Sequence, residues 1–295
     1  MLLALARAAA PDRLALVGGA VRDLLLHRVH ADPWRGLPDL DLVVEPAGES
    51  PAAPAGTPSP ALRLAQRLAA AHDLPLVLQA IREHGAFGTV ELELEFGGSR
   101  LLLDVATARR ETYGMPGDNP RVCFGSLRDD LARRDFSINA IALVLDPGTP
   151  PAEALAASGL APDIPTPTEA DIDAIPILDP HGGLADLRRR NLRLLHGQSL
   201  RDDPTRILRA ARYAARLDFA LDPASLAQWR RTLAAWPWPW RPGDPPALAP
   251  PALGTRLRME LELLLDREPR DLALDRKSTR LNSSHSSVSR MPSSA

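Results

Sequence analysis

The residues able to do chemistry fall into three strings. The first is LVGGAVRD, followed by LPDLDLVV. Gly18 and Gly19 end an apolar stretch and open a helical one, so backbone N–H groups at this turn can come close to a phosphate. Arg22, one turn further on, can offer a guanidinium fork to the same anion. A glycine pair alone marks only a tight turn. It gains meaning from Asp39 and Asp41, which are separated by one residue at the start of a strand and so share a face. Carboxylates so placed repel each other unless cations sit between them. Mg²⁺ takes such oxygen ligands together with substrate phosphates. Two such ions can activate a 3′-hydroxyl and stabilise a leaving pyrophosphate.

Asp104, in RLLLDVATARRETY, is an acid inside an apolar strand. Burial of such a group calls for a partner. It is either a third carboxylate beside the metals or the ion-pair partner of an arginine such as Arg109. The second string is DDLARRDFSINAIAL, residues 129–143. An arginine of its RRD can reach triphosphate oxygens, and Asp135 can cap the next helix. By spacing alone, RRD also suits a solvated surface.

The third string is RDDPTRILRAARYAARL, residues 201–217. Pro204 sits where a helix starts, with Asp203 just before it. With Arg206 at zero, Arg209, Arg212 and Arg216 fall near about 300°, 240° and 280°, so the four arginines fit an arc of about 120°. Ile207, Leu208, Ala211 and Ala214 lie opposite and are expected to pack into the core. The helix interleaves no acids for i,i+4 pairing, which favours a bound polyanion as counter-charge. Asp203 and Arg206, at i,i+3, form either a local ion pair or a fixed acceptor–donor pair. Cytosine and adenine present an amino donor beside a ring-nitrogen acceptor, whereas guanine and uracil present a carbonyl beside a ring N–H. Such a pair therefore favours C and A.

The elements that must position these residues read as mixed α/β. Strands are expected at 13–17, 40–45, 74–79, 89–96 and 100–106. The alternation in TVELELEF marks a half-buried strand. Helices are expected at 21–27, 61–71, 200–217 and 254–266. Two stretches rich in Pro, Ala and Gly, 45–60 and 147–176, read as loops or insertions, and 236–251 (WPWPWRPGDPPALAPP) as irregular.

The 295 residues suffice for about two domains. No run of about 18 uncharged apolar residues exists, so neither a membrane span nor membrane partnership is expected. The start of the chain lacks the basic lead of a signal peptide. Cys123 is the single cysteine, which precludes an internal disulfide and suits a cytoplasmic location. All but one of the 35 basic residues are arginine, Lys277 being the exception, and the net charge is −2. Phosphate binding must therefore come from local clusters. Residues 276–295 hold eight serines, as many as the rest of the chain, and are expected to be a disordered, non-native tail.

Five strings in order, LVGGAVRD with DLD, DVATARRETYGMPGDNPRV, GSLRDDLARRDFSINAIAL, LDPHGGLADLRRRNLRLL and RDDPTRILRAARYAARL, resemble the bacterial-type (class II) CCA-adding tRNA nucleotidyltransferases and related poly(A) polymerases of the DNA polymerase beta superfamily. The resemblance spans about residues 14–217. It implies a nucleotidyltransferase head with a small mixed β-sheet flanked by helices (1–146), an insertion or linker (147–176), and an all-α neck for base recognition (177–275). It implies Asp39 and Asp41 as Mg²⁺ ligands, and Gly19, Arg22 and Arg134 around the triphosphate, with Gly18 in the same turn. Asp203 and Arg206 would be the template for the base, with Arg209 and Arg212 completing the nucleotide site. Residues 109–122 would be a flexible loop that helps switch from C to A addition. The family has Glu-Asp where this chain has Asp202-Asp203, and it carries further helical domains that grip tRNA.

The activity so implied is transfer of CMP and/or AMP from CTP or ATP to the tRNA 3′ end. Polyadenylation and A-only or CC-only addition are alternatives within the class. A nucleotide- or RNA-binding module without activity is the alternative outside it. Oligomeric state is not legible in the sequence.

Overall fold

The computed structural model describes residues 1–35, 40–48, 57–71, 74–84, 87–145 and 177–267. Asp39, residues 49–56 of the 45–60 stretch, the 147–176 insertion and the 276–295 tail lie outside the described residues.

The chain divides into two compact units. The first comprises Met1–Thr112 and Pro120–Arg189, and the second Tyr113–Asn119 with the chain from Arg190. The first holds a seven-stranded mixed sheet in the order β3-β4-β5-β2-β1-β8-β9. Its strands are β1 (Arg13–Val17), β2 (Asp41–Glu45), β3 (Val77–His84), β4 (Thr89–Phe96), β5 (Ser99–Thr107), β8 (Ala142–Leu145) and β9 (Ile177–Leu178). β1 runs antiparallel to β2 and β8, and β2 runs parallel to β5. β3, β4 and β5 form an antiparallel meander.

Helices α1 (Leu2–Ala9), α2 (Gly19–His30) and α3 (Pro60–Ala70) pack against this sheet. α3 begins because Ser59 accepts the Leu62 N–H and Pro60 already has helical φ. Its Leu64, Ala65 and Leu68 are buried with Leu92 and Leu94 of β4 and Leu103 of β5. Strands β6 (Arg109–Thr112) and β7 (Arg121–Phe124) pair antiparallel, so the segment expected to be a loop is a hairpin at its base. α4 (Leu127–Ala132) opens on a capping box of Ser126 and Asp129. A short 3₁₀ turn (Ser137–Asn139) and α5 (Gly183–Arg188) follow.

The second unit contains the short pair β10 (Asn191–Leu192) and β11 (Ala220–Leu221). Its helices are α6 (Ser199–Asp202), α7 (Arg206–Leu217), α8 (Pro223–Ala235) and α9 (Thr255–Arg267). Ala215 of α7 is buried with Leu264 of α9, and Leu208 packs against them.

Three expectations are corrected here. The helix expected over 200–217 is two, because Asp203 precedes a proline and is extended (φ −141°, ψ 98°). The third strand runs from Val77 to His84 rather than 74–79, since pairing with β4 selects the register. Asp135 caps no helix: its carboxylate accepts from the Phe136 N–H and from Asn139 Nδ2. Among the described residues, no helix is long and apolar enough to cross a membrane.

Candidate active site

In the first unit, β1 delivers the chain to Gly18, whose φ of +73° suits a residue without Cβ. α2 starts at once, and no side chain caps its first turn. A Cβ added to Gly18 would stand 3.0 Å from Arg134 Nη1 and 3.1 Å from Asp41 Oδ2. The bare α-carbon thus allows a guanidinium, a carboxylate and a helix N-terminus to meet. Sequence reasoning placed Arg134 in a separate string, and the fold brings it here.

Asp41 is the first residue of β2 and is exposed. It pairs with Val17 on one side and with Asp104 of β5 on the other, and Asp104 pairs with Glu91 of β4. Paired residues project from one face, so Asp41, Asp104 and Glu91 form an acidic row on strands about 4.8 Å apart. Arg82 of β3 closes the row with an ion pair to Glu91. Asp104 is exposed, not buried in an apolar strand as its sequence context suggested. β5 alternates, with Leu103 and Val105 turned into the core and Asp104 outward. Arg109, an arginine considered for Asp104, binds Glu111 at 2.9 Å and the Phe87 carbonyl.

Arg134 is braced from behind. Asp130, fully buried, accepts Arg134 Nη2 at 3.0 Å on one oxygen and Arg133 at 2.7 Å on the other. Burial alone would raise the Asp130 pKa. Arg134 and Arg133 outweigh that and hold it below the ordinary carboxylate value. The i,i+3 and i,i+4 spacing of Asp130 to these arginines is legible in DDLARRD. Arg22 is also buried. Its guanidinium takes both carboxylate oxygens of Asp23 (2.8 and 2.9 Å) and donates to Asn139 Oδ1 (2.7 Å). It remains next to Gly19, where a Cβ would lie 3.4 Å from Nη2.

In the second unit, Asp203 Oδ1 accepts from the Thr205 N–H and hydroxyl, and Oδ2 accepts from Arg256 Nη1 of α9 at 3.2 Å. Arg206 is buried and donates to the Ser199 hydroxyl. Asp203 is thus held by Thr205 and Arg256, and Arg206 by Ser199. Burial raises the Asp202 carboxyl pKa, against the pull of Arg206 and Arg201.

The arginine face of α7 differs from expectation. Arg209 and Arg212 each bind one oxygen of the buried Glu260 (2.8 and 3.2 Å), and both lie over the Tyr213 ring. The missing acid comes from α9, which local spacing on α7 does not reveal. The side expected to be core, with Ile207 and Ala211, is only half-buried. Arg256 and Glu260 of α9 thus meet Asp203, just ahead of α7, and Arg209 and Arg212 of α7.

A strand–Gly–helix turn with in-register carboxylates on a mixed sheet defines a nucleotidyltransferase head. The chain belongs to the poly(A) polymerase head-domain family, which matches residues 14–193. It is 39% identical over 268 residues to a CC-adding tRNA nucleotidyltransferase of Deinococcus radiodurans, covering 90% of this chain and 53% of that one. It is 36% identical over 212 residues to an A-adding tRNA nucleotidyltransferase of Aquifex aeolicus, covering 71% of this chain and 19% of that one. Among solved structures, the Thermotoga maritima CCA-adding enzyme complexed with tRNA matches with a TM-score of 0.60 and 28% identity, over 94% of this chain and 48% of that one. The chain spans about half the length, or less, of these relatives.

Proposed function

We propose that this chain is the catalytic part of a template-independent RNA nucleotidyltransferase, adding CMP and/or AMP from CTP or ATP to the tRNA 3′ end. The observation that carries the reading is the exposed Asp41–Asp104 pair beside the Gly18 turn and Arg134. Two carboxylates in register on adjacent strands place their oxygen donors side by side, as a cation site requires. Oxygen-only donors fit Mg²⁺, which Asp41 would hold with Asp39, and with Asp104 as third carboxylate. When bound, the metal lowers the pKa of the attacking 3′-hydroxyl and offsets charge on the phosphates.

The reaction forms a bond from the 3′-oxygen to the α-phosphorus and breaks the bond to pyrophosphate. Arg134, held by Asp130, and the first-turn amides of α2 after Gly18 and Gly19 would bind the triphosphate. Arg22 would keep that turn rigid and add charge beside Gly19. In the second unit, Asp203 and Arg206 would read the pairing edge of the base, with Arg209 and Arg212 in the same nucleotide site. The first unit is then the head and the second the neck, so residues 177–189, expected in the neck, belong with the head, and a cytoplasmic location suits tRNA maturation.

The test is incorporation of labelled CTP, ATP, GTP and UTP into a tRNA lacking its CCA end, with Mg²⁺. Addition of C, C and then A, stopping there, supports full CCA addition. Two cytidylates only, or adenylate only, supports a specialist of the kind represented by the CC-adding and A-adding relatives. Nucleotide binding without incorporation supports a module that needs the remaining length of its relatives.

A further inference from the structure

Arg256 connects two features of the second unit that are far apart in sequence. One terminal nitrogen, Nη1, donates to Asp203 Oδ2 at 3.2 Å. The other, Nη2, donates to the carbonyls of Asp118 at 2.9 Å and Gly117 at 3.4 Å. The Tyr113–Asn119 segment is fixed further by the Gly117 N–H on the Arg201 carbonyl and by the Ala252 N–H on the Gly117 carbonyl. At Gly117, φ is +76° and an added Cβ would lie 3.1 Å from the Trp238 ring, so this contact requires glycine. Arg256 Nε is buried and has no partner among the described residues. A buried unpaired N–H is costly, so the guanidinium does not satisfy all its donors in this arrangement.

We propose that Arg256 is a positioning residue for nucleotide selection, a fork that ties the Asp203 carboxylate to the 113–119 segment. The inference rests on the reading of Asp203 as a base-recognising acceptor. A base whose amino group bonds Oδ2 competes with Arg256 Nη1 for that oxygen. Occupancy of Asp203 and the placement of Gly117 and Asp118 are then linked. A base offering a carbonyl there gains no bond from a carboxylate and leaves the fork in place.

The test is amide hydrogen exchange at Gly117 and Ala252 in the full chain. The variants are Arg256→Gln, Arg256→Lys, Asp203→Asn and the Arg256→Gln/Asp203→Asn double, with sheet amides of the first unit as folding controls. Loss of a charge-assisted bond predicts about tenfold faster exchange in each single variant, and no further gain in the double. Lysine, a point charge without the fork, should behave as glutamine does. With CTP and Mg²⁺, the wild-type chain should change its exchange at Gly117, and Arg256→Gln should not. The preference for CTP over GTP in binding should fall about tenfold in that variant, the size of one such bond. Unchanged exchange in Asp203→Asn, or wild-type behaviour of Arg256→Lys, overturns the tether. An unchanged CTP preference in Arg256→Gln overturns its part in selection. If the wild type binds neither nucleotide, the base-recognition reading of Asp203 and the selection role fall together. The ligand-free variants then still decide whether the tether exists.

Discussion

Asp41 and Asp104 stand directly opposite each other on the parallel strands β2 and β5, both exposed on one face of the sheet. Replacing Asp41 by Ala should reduce nucleotide incorporation by about a thousandfold or more, some 4 kcal/mol of lost transition-state stabilisation. The same change removes a like-charge contact, so unfolding in metal-free buffer should be harder by about 0.2–1 kcal/mol. Incorporation at the wild-type rate would sink the assignment. A fall in metal-free stability would mean that the pair is not repulsive.

Gly18→Ala combines a positive φ with two contacts near 3 Å, from Arg134 Nη1 and Asp41 Oδ2. With φ +73° and ψ −137°, the backbone conformation alone costs a residue with Cβ about 1–3 kcal/mol. Loss of incorporation should exceed the loss of stability, because the methyl displaces two groups of the proposed triphosphate and metal site. Denaturant unfolding compared with initial rates separates the two effects.

Glu260→Ala leaves Arg209 and Arg212 without their shared carboxylate. The expected destabilisation is about 1–3 kcal/mol by denaturant titration. The KM for CTP or ATP should rise more than kcat falls, since the guanidiniums lose placement but not charge. A kcat effect with an unaltered KM would contradict this role.

Asp130 gives the acid side of the stability profile. Its pKa is held down on folding by Arg134 and Arg133 against the effect of burial. The stability this contributes is present above the unfolded value of about 3.9 and is lost as pH falls through the lower folded value. Asp130→Asn should cost on the order of 3 kcal/mol at neutral pH. The gap between variant and wild type should close below about pH 4. Melting temperature against pH for both proteins measures it, and a gap constant down to pH 2 would contradict the ion-pair origin.

Local chemistry made much of the first unit legible. The glycine pair, the alternation in TVELELEF and the apolar run ending at Val17 specify a strand–turn–helix and a half-buried strand through nearest-neighbour rules alone. The order of the motifs was enough to mark the family. Asp104 was misjudged in its surroundings. An apolar run reads as buried, whereas the period of two, once the strand is paired, turns one residue in two outward.

What the sequence determined by itself were properties carried by neighbours a few residues apart: the Gly18 turn, the arginine stripe on α7 and the proline break at Pro204. What only the tertiary structure decided were the partners: Arg134 beside Gly18 and Asp41, Asp104 opposite Asp41, Glu260 under Arg209 and Arg212, and Arg256 on Asp203. Strand register and helix packing bring these groups together. Both depend on burial summed over the whole core, which no local spacing encodes.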